Sequence, residues 1–252
     1  MDERSVQAGG TDRPIQANEL DRGPGPAHLS DPRALMILTT EHWSLLTARS
    51  LVYNEAFSRS AMFLTFLTGT LVALGFVSQA SGYTQEFLVL ATVLLGFDLF
   101  IGLATLGRIT AASGEEIRAL QGMNRLRHVY LEMVPALDPY FSTSPHDDLA
   151  SVVSVYGGTP DQSPSVIGNI AHGLTTTPGM IGTITAAVGG AFAAALALLL
   201  GAITTVGIVA GLATFVILTL IISSLAYRQF LAVDRALEIR FPPPSAATGE
   251  GK

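Results

Sequence analysis

A single acid interrupts a long uncharged run. Asp98 sits near the middle of FLVLATVLLGFDLFIGLATLG at 87–107. A carboxylate inside hydrocarbon costs about 2.5 to 3.5 kcal/mol on insertion scales, so Asp98 is expected to face protein or water rather than lipid. Two chemistries suit such a group. It can line a path or bind a proton or cation, or it can be a packing residue hydrogen-bonded by Thr65 or Thr68 upstream or by Thr204 or Thr205 downstream. No second acid or base lies inside an apolar run to choose between them.

Other reactive residues are sparse. His28, His42, His128, His146 and His172 are scattered with no H-E-x-x-H or comparable ligand spacing, so no metal site is expected. His146-Asp147-Asp148 reads as a solvated turn in a Pro-flanked loop, and His128 with Glu132 as an i, i+4 surface pair. With no Cys there is no thiolate nucleophile, disulfide or zinc-thiolate site. The lone Lys is residue 252, which excludes a Walker A loop and a Schiff-base lysine within the fold. Neither G-x-S-x-G nor G-x-G-x-x-G occurs. The expectation is a non-enzyme without cofactor, and a net charge of -6 argues against a nucleic-acid partner.

The elements that would hold Asp98 follow from composition. The 252 residues are 49% hydrophobic and only 13% charged, about half the share of an average soluble domain. Residues 61–78 and 87–107 are apolar runs long enough for a ~30 Å hydrocarbon layer, joined by a short loop. A further block from 180 to 226 carries no charge and is twice the length of one crossing, so it must reverse near Gly201 into 180–200 and 202–226. The predicted fold is all-α: an integral membrane protein with four transmembrane helices in two hairpins and helical cytoplasmic extensions. Six basic residues precede position 60, four lie between Arg108 and Arg127, and four follow from Arg228, while neither hairpin loop has any. By the positive-inside rule both termini are expected in the cytoplasm, with the bacterial inner membrane as the location.

Residues 1–30 lack the apolar core of a secretory signal, and with 242–252 they are expected to be disordered tails. Asp31-Pro32 starts a helix that either continues into the first crossing or lies along the headgroups. Its apolar stripe of Trp43, Leu46, Tyr53 and Phe57 is expected to pack. Ser113-Gly-Glu-Glu116 has the form of a capping box, predicting a break after the second crossing and a new helix to about Val134. That helix would present Leu120, Met123, Leu126 and Tyr130 to the first extension, or to a third helix at 227–241 through Phe230, Val233, Leu237 and Phe241. The part of 113–178 from 135 onward is a Pro-rich loop in which Leu149 to Tyr156 is a short helix or strand.

Small residues suggest how the crossings meet. Gly182, Ala186, Gly190, Ala193 and Ala197 line one stripe, and Gly207 and Gly211 form G-x-x-x-G, faces that serve either intrachain packing or a homo-oligomer. Crossings that extend into long cytoplasmic helices resemble the SLATT-type bacterial membrane effectors, a resemblance of architecture that implies an oligomeric pore. The segment GMNRLRHVYLEMVPALDPYF reads as a family signature without an assignable function. The expected function is thus a self-associating pore or scaffold in the lipid bilayer. The alternatives are a small transporter or ion conductor using Asp98, and a membrane adaptor that recruits a cytoplasmic protein partner through 113–157.

Overall fold

The computed structural model describes residues 31–156 and 176–244. The tails expected at 1–30 and beyond 244, and the stretch 157–175, fall outside them. Among the described residues there are helices and no strand: α1 (Pro32–Ser81), α2 (Gln85–Met133), α3 (Leu149–Val153), α4 (Thr177–Leu199) and α5 (Thr204–Ala236), with 3-10 turns at Pro135–Tyr140 and Ser154–Tyr156. Four of these, α1, α2, α4 and α5, are long and apolar enough to cross a membrane.

Local chemistry sets the ends. The Asp31 carboxylate accepts a hydrogen bond from the Arg33 amide with Pro32 in the first turn, the Thr84 hydroxyl accepts from Phe87, and Thr176 accepts from Gly179. The reversals fall at Gly82 (φ 67°) and Gly201 (φ 89°), a left-handed backbone that a residue without Cβ adopts at least cost. Between these points nothing breaks the ladders. α1 runs 50 residues without interruption, about 75 Å at 1.5 Å per residue, more than twice the thickness of a hydrocarbon layer.

The expected break at 108–112 is therefore absent. Ser113 lies inside α2, and its hydroxyl donates to the Ile109 carbonyl instead of capping a new helix. The acids of the supposed capping box pair instead with cations, Glu115 with Arg108 at 3.0 Å and Glu116 with Arg49 of α1 at 2.9 Å. The separate helix expected at 227–241 is also absent, because α5 continues to Ala236 and the chain then leaves in extended form. Leu149 to Tyr156 resolves as helix and 3-10 turn.

Helix α2 packs along α1 on one side and α4 on the other, and α4 packs on α5. Leu45 meets Gly122, and Phe63 meets Gly102, so α1 and α2 run antiparallel. From Ala91 to Ala112 the buried positions of α2 are Ala91, Leu95, Asp98, Gly102, Thr105, Ile109 and Ala112, alternating steps of four and three. On α1 the less exposed positions follow the same rhythm through His42, Leu45, Arg49, Val52, Ala56, Ser60, Phe63, Leu67 and Thr70. This is knobs-into-holes spacing, with two consecutive fours at 52–56–60 that locally unwind the pair.

Outside these seams the apolar segments are covered by large hydrophobic side chains facing outward, among them Phe66, Phe76, Phe97, Phe100 and Leu220. Helices α4 and α5 touch backbone to backbone. A Cβ on Gly211 would stand 2.9 Å from the Gly190 carbonyl oxygen, whereas one on Gly75 would meet nothing within 4 Å. Gly211→Ala is thus expected to destabilise by about 1 to 3 kcal/mol through overpacking. Gly75→Ala should hold or raise stability through helix propensity. Thermal unfolding of the two variants in detergent checks this, and equal midpoints would contradict the crossing.

Candidate functional site

Asp98 occupies a core position of the α2 seam and is 3% exposed. One carboxylate oxygen, Oδ2, is buried without a hydrogen-bond partner among the described residues. Its neighbours on the seam are Leu95 above and Gly102 and Thr105 below. Thr185 of α4 packs into the gap at Gly102, where a Cβ would lie 2.8 Å from its hydroxyl oxygen, and that hydroxyl donates to the Ile181 carbonyl. A carboxyl with one enclosed, unused oxygen can accept a proton, a cation or a donor brought by another molecule. Metal-ligand clusters of three or more His, Asp or Glu are absent among the described residues.

The threonines expected to serve Asp98 do not do so. Thr65 and Thr68 are exposed, and their hydroxyls donate to Ala61 and Leu64 of their own helix at 2.8 and 2.7 Å. Thr204 and Thr205 are exposed at the start of α5, the end at which the Gln85 amide donates to the Leu199 carbonyl. Asp98 lies thirteen residues further along α2 from Gln85, about 20 Å at 1.5 Å per residue. From α4, Thr185 reaches the seam at Gly102.

The small-residue stripes are spent within the chain. Gly182, Ala186 and Gly190 are buried, Ala193 and Ala197 half-buried. Gly182 faces Ile222, Gly190 faces Gly211, and Gly207 faces Leu198. On the polar ends of α1 and α2 the expected cluster is half realised. Leu120, Met123 and Leu126 are buried, with Leu45 packed against the first two, and the Tyr130 hydroxyl donates to the Leu38 carbonyl. By contrast Trp43, Leu46, Tyr53 and Phe57 turn away from α2 and stay 64%, 40%, 63% and 63% exposed. The contact face of α1 is the neighbouring stripe, whose His42 and Arg49 hid it from a hydrophobic-period search.

A second cluster escaped sequence reading altogether. Asp147, expected in a solvated turn, is fully buried. Its carboxylate accepts from Arg125 Nε at 2.8 Å and from the amides of Arg240 and Phe241, and its own amide donates to the Phe241 carbonyl. Gln121 donates to the carbonyls of Asp147 and Glu238, Asn124 to that of His146, and Arg125 also reaches the Glu238 carbonyl. The Phe241 ring stacks on His128 at 4.1 Å. Burial alone would raise the Asp147 pKa, but Arg125 and the two amides outweigh it and hold it below the ordinary value. Gln121 and Asn124, two amides set among the apolar positions of α2, were the available signal, because buried amides demand partners.

Compared with family models, with curated proteins and with solved structures, the chain matches none.

A depressed pKa means the Asp147 contribution is complete above about pH 4 and is lost as pH falls through the folded value. Asp147→Asn should lose it at neutral pH. Hydrogen exchange at the Arg240 and Phe241 amides should then quicken about ten-fold or more, as expected for lost hydrogen bonds to a charged group. Unchanged exchange would contradict the role given to this carboxylate.

Proposed function

We propose that the chain is a non-enzymatic, multi-pass membrane protein of the bacterial inner membrane that self-associates as a scaffold, with both chain ends cytoplasmic. Supporting immersion in lipid are the outward-facing Phe66, Phe76, Phe97, Phe100 and Leu220, which a water-facing surface of this extent would not carry. Orientation is supported by the grouping of cations at one level. Glu55 pairs with Arg59 and Arg108, and Gln229, next to Arg228, donates to the Thr110 carbonyl. That level marks the cytoplasmic headgroups. Beyond it α1 and α2 stand out of the bilayer as a two-helix stalk.

The observation that carries self-association is the stalk's outer side, where large apolar side chains meet water in a single copy. Light scattering of the full chain in detergent or nanodiscs should give a mass of two or more copies. A monomer at all concentrations would remove the proposal.

Asp98 supports a second reading, ion conduction through an assembly of copies, because its buried Oδ2 is free to take a cation or proton. Proton or cation flux in proteoliposomes should then fall at least ten-fold in Asp98→Asn. Flux unchanged by that substitution would reject a conducting role.

A further inference from the structure

The stalk's exposed apolar side chains are not scattered. Met36, Trp43, Ser50 and Phe57 recur every seven residues, with Leu46 and Tyr53 three beyond Trp43 and Ser50. These are the a and d positions of a heptad, a second seam beside the one that holds α2. Met36 is 65% exposed, and the four large residues below it turn away from the rest of the chain. Trp and Tyr are the residue types that anchor protein interfaces.

We infer that this face of α1 is the seam along which a second copy of the chain packs, its α1 parallel to the first. The inference rests on the self-association proposed above and names its surface and geometry. Charge and continuity favour a second copy as the occupant, and membrane insertion sets its direction.

Charge comes first. In a parallel pair the flanking e positions are Thr40, Thr47 and Asn54, all neutral, so they face the g positions His42 and Arg49 without like-charge repulsion. Arg49 is in any case held by Glu116 at 2.9 Å. The acids Glu41 and Glu55 occupy f positions on the opposite side, Glu55 bound to Arg59 and Arg108.

Continuity comes next. Past the same four-residue step that the inner seam takes, the outer face runs on into the apolar segment through Ala61, Thr68 and Leu71, all exposed. A soluble partner could cover only the part in water, whereas a second copy covers both parts. Direction comes last. Copies inserted in one membrane share an orientation, so their α1 helices are parallel by necessity, the arrangement in which a and d positions meet their own kind.

Absence of Cys makes the test clean, since each variant carries one thiol. Full-length Leu46→Cys and Tyr53→Cys on the seam, and Glu41→Cys and Ala48→Cys at f positions, are oxidised mildly in membranes after confirming wild-type thermal midpoints. The seam variants should give at least five-fold more product at twice the chain's mass than the f variants. Equal yields, or no such product from the seam while light scattering still shows multimers, would overturn this seam and leave self-association standing. A monomer by light scattering would remove both. Cross-linking at the seam to a product of any other mass would assign the face to a different protein and overturn the inference. As a second readout, Tyr53→Asp should weaken association at least ten-fold, and unchanged association would count against the seam.

Discussion

An α-helix satisfies its own backbone hydrogen bonds in any solvent, and in hydrocarbon no water is available to satisfy them otherwise. The architecture depends on that. α1 and α2 need no change of backbone where the proposed bilayer ends, and each is more than twice as long as one crossing requires. Only the side chains change. In the apolar half the seam is filled by Phe63, Leu67, Leu95 and Ile109, with Asp98 as the one acid. In the polar half it carries His42, Arg49 and Glu116. At the junction Arg108 and Arg59 hold Glu55 at a pKa of about 2, so this carboxylate stays charged through the neutral range and ties α1 to α2 at the proposed edge of the bilayer.

The remaining elements hang on this pair. α4 lies against α2 through Thr185 and Ile181, and α5 lies against α4 through Gly190 and Gly211, so the four helices stand in sequence and α2 and α5 meet only slightly. What closes the chain is the Asp147 cluster. It holds the extended residues after α5 against Gln121 and Arg125 of α2, so the exit of the last helix is fastened to the stalk of the second. Asp98 stands apart from these fasteners. It interrupts an aliphatic seam, and its Oδ2 has no hydrogen-bond partner among the described residues.

Much of the fold was legible because charge and apolar length are read directly from residue types. The reversal at Gly201, the helix start at Asp31-Pro32 and the four long apolar helices all follow from local chemistry. Ser113 misled because a capping box and a mid-helix Ser-Gly-Glu-Glu look alike unless the partners of the two acids are known, and those partners, Arg49 and Arg108, lie on another helix or about two turns upstream. Trp43, Leu46, Tyr53 and Phe57 misled for a related reason. The most apolar stripe of an amphipathic helix is not the intrachain one when a polar stripe can pack by ion pairs and hydrogen bonds instead. Asp147 was hidden because its donors come from residues some twenty and ninety positions away. At Asp98 burial could be foreseen from cost, but its neighbours could not, since two apolar helices in antiparallel contact can slide by a turn with little change in pattern.

The measurement that bears most directly on the membrane-spanning account is thiol labelling of single-Cys variants in intact cells. Tyr83→Cys at the tip between α1 and α2, 81% exposed, should react with a membrane-impermeant maleimide from outside. Tyr140→Cys, 82% exposed beyond the end of α2, should react only after permeabilisation. Equal access to both positions in intact cells, or recovery of the chain from the soluble fraction without detergent, would contradict a pair of helices that crosses the bilayer and stands out of one face.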